Sequence, residues 1–154
     1  MSEPQLANEG NARVASLPSG GVPADPQSLA ARVRSALGEA DWCQRDPLTW
    51  IIVDLPPIAA DAPAGWRCQV GLSLTGLVRS RAPLLVEDYR RLTALSQPHV
   101  GPVRDLAQTY ERLRGYAEAH GWRLRPYWRI AVGAIATPDD HLLPEALVSV
   151  FLDR

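Results

Sequence analysis

Two stretches of the chain place hydrophobic residues three and four positions apart, which is the spacing of an amphipathic helix. The first covers residues 26–37, where Asp25 can cap the free amides of the first turn and Gly38 can end the helix. The second begins at Pro102 and ends near His120. The apolar positions are Leu29, Val33 and Leu37 in the first predicted helix and Val103, Leu106, Ala107, Tyr110, Leu113 and Ala117 in the second.

Elsewhere the hydrophobic residues alternate with polar or small ones, as they do in a half-buried strand. The clearest case is residues 66–75. One face of this predicted strand comprises Trp66, Cys68, Val70, Leu72 and Leu74, and the other comprises Arg67, Gln69, Gly71, Ser73 and Thr75. Further strands are predicted at residues 12–18, 49–53, 90–96, 127–136 and 147–152.

The order strand, helix, strand, strand therefore occurs twice along the chain. Antiparallel strands together with two amphipathic helices predict an α+β fold, with both helices packed on one face of the sheet. We expect one domain at residues 12–154, built from two β-α-β-β repeats at 12–80 and 84–154. Residues 1–11 are mostly polar and lack a clear periodicity, so they are predicted to form a disordered tail.

Composition narrows the class of protein. The 154 residues are 46% hydrophobic and 21% charged, and the net charge is −1, so we expect no general attraction to nucleic acid or to an anionic membrane. The first residues do not have the pattern of a signal peptide, and no apolar run has the length of a membrane span, so a cytoplasmic location is expected. Cys43 and Cys68 are then expected to be free thiols.

Several short segments, in order along the chain, carry a likeness to one family. They are a strand that runs into an Asp-x-Pro turn at 53–56, a strand at 66–70, a His-x-Gly-Pro turn that leads into a helix at 99–113, and a strand at 126–130. Their order and spacing resemble the gyrase-inhibitor-like (GyrI-like) small-molecule-binding domain, which is also the effector-binding domain of some bacterial transcription activators. The resemblance implies one curved antiparallel sheet with two helices on its convex face and a ligand groove on its concave face.

The resemblance and the strand alternation together select the residues of the groove. The predicted ligand-binding residues are Arg67, Gln69, Ser73, Tyr127, Arg129, Ser149, Phe151 and Ile51. Trp66 and Trp128 alternate to the helix side, where we expect them in the core. The local likeness of residues 48–53 to residues 126–131 gives Trp50 the same phase as Trp128.

The departures from the family pattern bear on the ligand. Family members that bind lipophilic cations or hydrolyse strained drug rings use buried carboxylates on these inner strands. The matching positions here are Gln69, Arg129 and Ser149, so the acids are replaced and one position carries a permanent positive charge. A cationic ligand would lose its water without a carboxylate to compensate, which favours a neutral or anionic ligand.

The residues with reactive side chains predict neither a catalytic group nor a cofactor. His99, His120 and His141 lie at a turn, a helix end and a loop, without the spacing of metal ligands on one element, so no metal site is expected. Arg129 has two interpretations that stay open. Its guanidinium binds a carboxylate or phosphate of a ligand through two parallel hydrogen bonds, or it is paired internally or reaches solvent.

These observations lead to one expectation and two alternatives. We expect a monomer or homodimer that binds a small organic molecule between its two halves, as a sensor, carrier or sequestering protein, without direct contact to nucleic acid. The first alternative is a small hydrolase or isomerase that uses Tyr127 or a histidine in the same groove. The second is an interaction module whose sheet face is covered by a partner.

Overall fold

The computed structural model describes residues 3–38, 42–54, 63–133 and 146–153. The strands are β1 (Gln5–Ser19), β2 (Trp42–Asp54), β3 (Cys68–Gly76), β4 (Leu85–His99), β5 (Leu124–Val132) and β6 (Ala146–Leu152). The helices are α1 (Pro26–Leu37) and α2 (Leu106–Ala119), with short 3₁₀ turns at Pro63–Gly65 and Val103–Asp105. Residues 55 and 56 of the predicted Asp-x-Pro turn, the end of the predicted strand at 127–136, and His141 lie outside the described residues.

The element order confirms the α+β fold with two β-α-β-β repeats, β1-α1-β2-β3 and β4-α2-β5-β6. All neighbouring strands are antiparallel, in the order β1-β3-β2-β5-β6-β4. Because β1 pairs with both β3 and β4, the curved sheet closes into a barrel. The sheet face opposite the helices is therefore the barrel interior.

The N-terminal strand corrects one prediction. The sequence predicts a disordered tail over residues 1–11, but β1 begins at Gln5, which pairs with Ser96 of β4. Residues 5–8 are exposed and pair with β4, whereas pairing between β1 and β3 begins at Arg13. A strand that is held mainly by backbone hydrogen bonds does not need an apolar face, which is why its composition resembles that of a tail.

Two hydrophobic clusters fill the space between the barrel wall and the helices, and they confirm the predicted face of β3. Under α2, the rings of Trp66 and Trp128 meet edge to face with centroids 5.5 Å apart, and Tyr110 lies 4.9 Å from Trp128. Cys68 and Val70 belong to the same cluster. The cluster under α1 comprises Ala15, Leu17, Ala30, Val33, Leu37, Leu72, Leu74 and Leu84.

A third cluster lies on the opposite side of the wall, inside the barrel. Its buried members come from four different strands and are Ala12, Val14, Trp50, Ile52, Leu92, Ala94 and Phe151. Leu48, Tyr89 and Tyr127 pack against it and are partly exposed. The interior is thus largely filled by side chains, whereas the sequence predicts a polar groove. We refer to this set as the interior cluster.

Polar contacts hold the helices at their ends. The carboxylate of Asp25 accepts a hydrogen bond from the backbone N–H of Ser28 (3.2 Å), as the sequence predicts for the cap of α1. Near α2, the buried ring of His99 hydrogen-bonds through Nδ1 to the hydroxyl of Thr109 (2.8 Å) and through Nε2 to the carbonyl of Pro102 (3.2 Å). Within the described residues, no helix is long and apolar enough to cross a membrane.

Gly71 is required where β1 and β3 approach most closely. A Cβ atom added there would lie 2.2 Å from the backbone oxygen of Ala15.

We expect Gly71→Ala to lower the free energy of unfolding by about 2 kcal/mol, because neither strand can move away without breaking the barrel. Gly115→Ala is the control, since a Cβ on this exposed helical residue has no atom within 4 Å. It should raise stability by roughly 0.5 to 1 kcal/mol in urea unfolding. Equal stability of the two variants would contradict this view of Gly71.

Candidate ligand-binding site

Arg129 is a buried arginine on β5, with a side chain that is 4% exposed. Its Nη1 donates to Oε1 of Glu9 (2.7 Å), and its Nη2 donates to Oε2 of the same carboxylate (2.8 Å). This is the two-point geometry that a guanidinium forms with a carboxylate. The internal pairing of Arg129, one of the two interpretations left open by the sequence, is therefore the arrangement in the structure.

The Arg129–Glu9 ion pair bridges the barrel interior. Glu9 lies on β1 and Arg129 on β5. Two strands lie between β1 and β5 whichever way one goes around the barrel, so the two side chains extend from opposite walls. The register of β1 on β4 shifts on both sides of Gly10, which has a φ of +71°. Such bulges change the direction of a side chain, and here the bulged Glu9 reaches the interior.

Two aromatic rings flank the guanidinium of Arg129. Its central carbon lies 4.4 Å from the centre of the Trp50 ring and 5.2 Å from that of Phe151, within the range of cation–π contacts. The indole N–H of Trp50 donates to Oδ2 of Asp46 (3.0 Å), which fixes the ring against the positive charge. The aromatic rings and the carboxylate together compensate a charge that would otherwise be costly to bury.

Hydroxyl groups complete the surroundings of the ion pair. Nη2 of Arg129 also donates to Oγ of Ser149 (3.0 Å), which lies 2.6 Å from Oγ of Ser96. The buried Nε of Arg129 has no hydrogen-bond partner among the described residues. An unpaired N–H on a buried guanidinium is costly, and it leaves one donor available beside the carboxylate position.

Contacts in the structure link four of the eight predicted site residues, Arg129, Ser149, Phe151 and Tyr127. Arg129 contacts both Ser149 and Phe151 beside the ion pair. Tyr127 packs against Phe151 with ring centres 5.6 Å apart, and its hydroxyl accepts a hydrogen bond from Arg125 (3.0 Å). Ser73 and Gln69 belong to β3, which β2 separates from β5. Ser73 is buried with no hydrogen-bond partner among the described residues, whereas Oε1 of Gln69 accepts from the hydroxyl of Ser16 (3.2 Å).

Two predicted residues lie elsewhere. Ile51 is buried in the cluster under α2, because in β2 its neighbours Trp50 and Ile52 face the interior. Arg67 precedes β3 and is exposed. Trp50 was predicted to face the helices, like Trp128, but it faces the interior. The reason is the register: Ile52 pairs with Arg129, so even-numbered residues of β2 share a face with odd-numbered residues of β5.

Glu9 is the site residue that the sequence analysis missed. Its neighbours are asparagine and glycine, so the segment has the composition of a disordered tail. Glu9 also does not correspond to any of the inner-strand positions at which the family carries its acids. The glycine that follows it is the one sequence signal for a bulge, because a glycine within a strand favours one. The conclusion that the groove lacks a carboxylate is therefore wrong, since Glu9 supplies one from β1.

Other reactive groups are engaged in packing or lie apart from the ion pair. His120 is exposed and stacks between Tyr116 and Trp122 at the end of α2. Burial, with a smaller contribution from Asp54, raises the pKa of the Cys68 thiol to about 12, so it stays protonated at neutral pH. Within the described residues, no group of three or more histidine, cysteine, aspartate or glutamate side chains could hold a metal.

Comparison with known proteins identifies similar folds. No protein-family model and no curated protein matches the sequence. Among solved structures, the EcmrR C-terminal domain matches with a TM-score of 0.68 and 14% identity, over 99% of this chain and 98% of that domain. EcmrR in complex with DNA gives a TM-score of 0.71 at 13% identity, with 99% of this chain covered, and this chain spans 57% of the EcmrR chain.

Two further structures extend the comparison. A hydrolase from Listeria innocua has a TM-score of 0.66 and 11% identity, over 98% of this chain and 92% of that one. SAV2435, whose structure contains bound tetraphenylphosphonium, has a TM-score of 0.56 and 10% identity, over 99% of this chain and 94% of that one. The chain therefore shares its fold with the EcmrR C-terminal domain and SAV2435, and at these identities the likeness is one of fold alone.

The ion pair of Arg129 should contribute more to stability than an exposed one. We expect Glu9→Gln to lower the free energy of unfolding by about 2 kcal/mol, because it leaves a buried guanidinium without its counter-charge. The control is Asp88→Asn, which breaks the exposed pair between Asp88 of β4 and Arg13 of β1 and should lower stability much less. Urea unfolding of the two variants measures the difference. If both variants lowered the free energy of unfolding equally, the ion pair between Glu9 and Arg129 would not behave as a buried interaction.

The two thiols should differ sharply in reactivity. Cys43 is exposed and Cys68 is buried with a raised pKa. We therefore expect Ellman's reagent to modify Cys43 in the native protein and Cys68 only after unfolding. Cys43→Ser is the control, since its native form should show no fast reaction. Rapid native labelling of Cys68 would contradict the burial of that strand face.

Proposed function

We propose that this protein binds a small organic carboxylate inside the barrel, between its two halves, with the ligand replacing Glu9 on Arg129. The observation that carries the proposal is a buried guanidinium whose carboxylate partner is only partly buried. The Arg129 side chain is 4% exposed, whereas that of Glu9 is 29% exposed and lies on a bulge. Solvent and ligand can therefore reach the carboxylate end of the pair.

The exchange keeps the buried charge paired throughout. A ligand carboxylate would accept the same two hydrogen bonds from Nη1 and Nη2 of Arg129 that Glu9 accepts now. The displaced carboxylate of Glu9 would gain water. Because the buried charge of Arg129 is compensated before and after, the exchange avoids the large cost of an unpaired guanidinium. The unpaired Nε of Arg129 offers an additional bond to a ligand acceptor nearby.

The aromatic residues around Arg129 favour a ligand with a flat, apolar body. Trp50 and Phe151 already flank the guanidinium, and Tyr127 and Tyr89 continue the aromatic surface, with ring centres 5.2 Å apart. Both tyrosines are partly exposed. Aromatic rings pack well against other rings and supply apolar area that is shielded from water on binding. An aromatic monocarboxylate therefore combines the two features of the site.

The fixed positive charge of Arg129 disfavours a cationic ligand. A second cation inside the barrel would compete with Arg129 for Glu9 and would be repelled by the guanidinium. The tetraphenylphosphonium bound to SAV2435 is a property of that protein. For this chain we propose the role of a sensor, carrier or sequestering protein for an anion.

Benzoate binding tests the proposal. We expect benzoate to bind the wild-type protein. Arg129→Gln should weaken binding by about 2 kcal/mol, because the two parallel hydrogen bonds from the guanidinium are lost. Glu9→Ala should strengthen binding, since the internal competitor is removed. Isothermal titration calorimetry measures all three, and benzamide, which lacks the charge, is the ligand control.

The opposite responses of the two variants separate a binding effect from a folding effect. Both substitutions break the same ion pair and should lower stability, but only Glu9→Ala should gain affinity. If Glu9→Ala binds benzoate no better than the wild type does, then ligand and Glu9 do not compete for Arg129. The proposal would then be wrong even if both variants are folded.

A further inference from the structure

A cleft of about 500 Å³ opens at one end of the barrel. It is lined by residues 11–13 of β1, by the end of β3, by residues 88–90 in the first half of β4, and by Arg45 of β2. Two of its lining residues, Ala12 and Tyr89, also belong to the interior cluster or pack against it. The cleft therefore borders the interior cluster, while Arg13, Leu74 and Asp88 lie on the outer face of their strands, and we call it the mouth cleft.

Positive charge dominates the mouth cleft. Arg13, Arg45 and Arg90 line it together with one acidic residue, Asp88. Asp88 is paired with Arg13, whose Nε donates to it at 2.7 Å. Arg13 has the larger effect in lowering the pKa of the Asp88 carboxyl, and Arg90 also lies close enough to help lower it. Among the described residues, neither Arg45 nor Arg90 forms a salt bridge of its own. Three guanidinium groups thus share one carboxylate in a concave surface, which creates a local positive potential in a protein of net charge −1.

Arg45 connects the mouth cleft to the carboxylate that a ligand would displace. Its Nη2 donates to the backbone carbonyl of Glu9 (3.2 Å), and its Nη1 donates to the carbonyl of Asn11. The cleft therefore lies directly beside the bulge that carries Glu9. A ligand that reaches Arg129 past this bulge has its remaining part next to the guanidinium of Arg45.

We propose that the mouth cleft binds a second acidic group, so that the preferred ligand is a dianion with one carboxylate on Arg129 and the other acid on Arg45 and Arg90. This inference rests on the proposed function and names its ligand class. A guanidinium can donate two parallel hydrogen bonds to a carboxylate or to a phosphate, so the second acid belongs to either class.

Tyr89 lines the same cleft as a neutral phenol. Burial, and secondarily the nearby Glu87, raise the pKa of the Tyr89 phenol above its usual range. The hydroxyl therefore keeps its proton, which it donates to the side chain of Glu87. Tyr89 thus adds no negative charge that would repel an anion at the mouth.

A series of matched ligands tests the inference. Benzoates with a 4-carboxyalkyl chain of increasing length are compared with the 4-alkylbenzoates of the same length, so that only the second charge differs within each pair. We expect at least one dianion to bind the wild-type protein about tenfold more tightly than its monoanionic partner at low salt. Replacing the chain carboxylate by a phosphonate shows which acid the cleft prefers.

Two variants locate the second acid. Arg90→Gln should lower the affinity of the preferred dianion about fivefold, the order of one exposed ion pair, and leave the monoanion unchanged. Arg104→Gln, an exposed arginine beside α2, is the control and should change neither. Arg45→Gln should also reduce the advantage of the dianion.

The outcomes separate this inference from the proposed function. If every dianion binds no more tightly than its monoanionic partner, or if the advantage persists in both Arg90→Gln and Arg45→Gln, the mouth cleft does not bind the second acid. Monoanion binding that depends on Arg129 would still support the proposed function in that case. If neither the wild type nor Glu9→Ala binds any member of the series, the proposed function fails and this inference fails with it.

Discussion

The pairing of Arg129 with Glu9 across the barrel is the interaction on which the interior depends. A guanidinium cannot be buried among Trp50, Phe151 and apolar side chains without a counter-charge, and the counter-charge comes from the opposite wall. The pair therefore joins the N-terminal strand to the second repeat. Under the proposed function it also makes the interior selective, because a ligand that displaces Glu9 must supply the counter-charge to Arg129.

Strand alternation predicted the parts of the fold that depend on one sequence segment alone. The caps of α1, the apolar stripes of α1 and α2 and the face of β3 turned toward the helices follow from local spacing, and the structure confirms them. The start of the second helix was predicted at Pro102, but α2 begins at Leu106 after a 3₁₀ turn. The antiparallel α+β arrangement was also predicted correctly. Barrel closure was not, because it requires β1 to pair with β4, and the first half of β1 has no apolar pattern to show this.

The errors in the site share one physical origin, which is strand register. Ile51 and Trp50 were assigned to the wrong faces because a local likeness between β2 and β5 aligned two tryptophans that lie on opposite sides of the sheet. Glu9 was missed because a bulge determines where its side chain points. Register and bulges arise from pairing between distant segments, so residue spacing within one segment does not reveal them.

If a ligand carboxylate replaces Glu9, the first half of β1 loses its anchor to β5 and keeps its pairing with β4. Hydrogen exchange of the backbone amides of residues 5–10, measured with and without saturating benzoate, tests this exchange most directly. We expect faster exchange in this segment when benzoate is bound, while exchange of the β5 amides is unchanged or slower. Bound benzoate with unchanged exchange in residues 5–10 would contradict the displacement of Glu9.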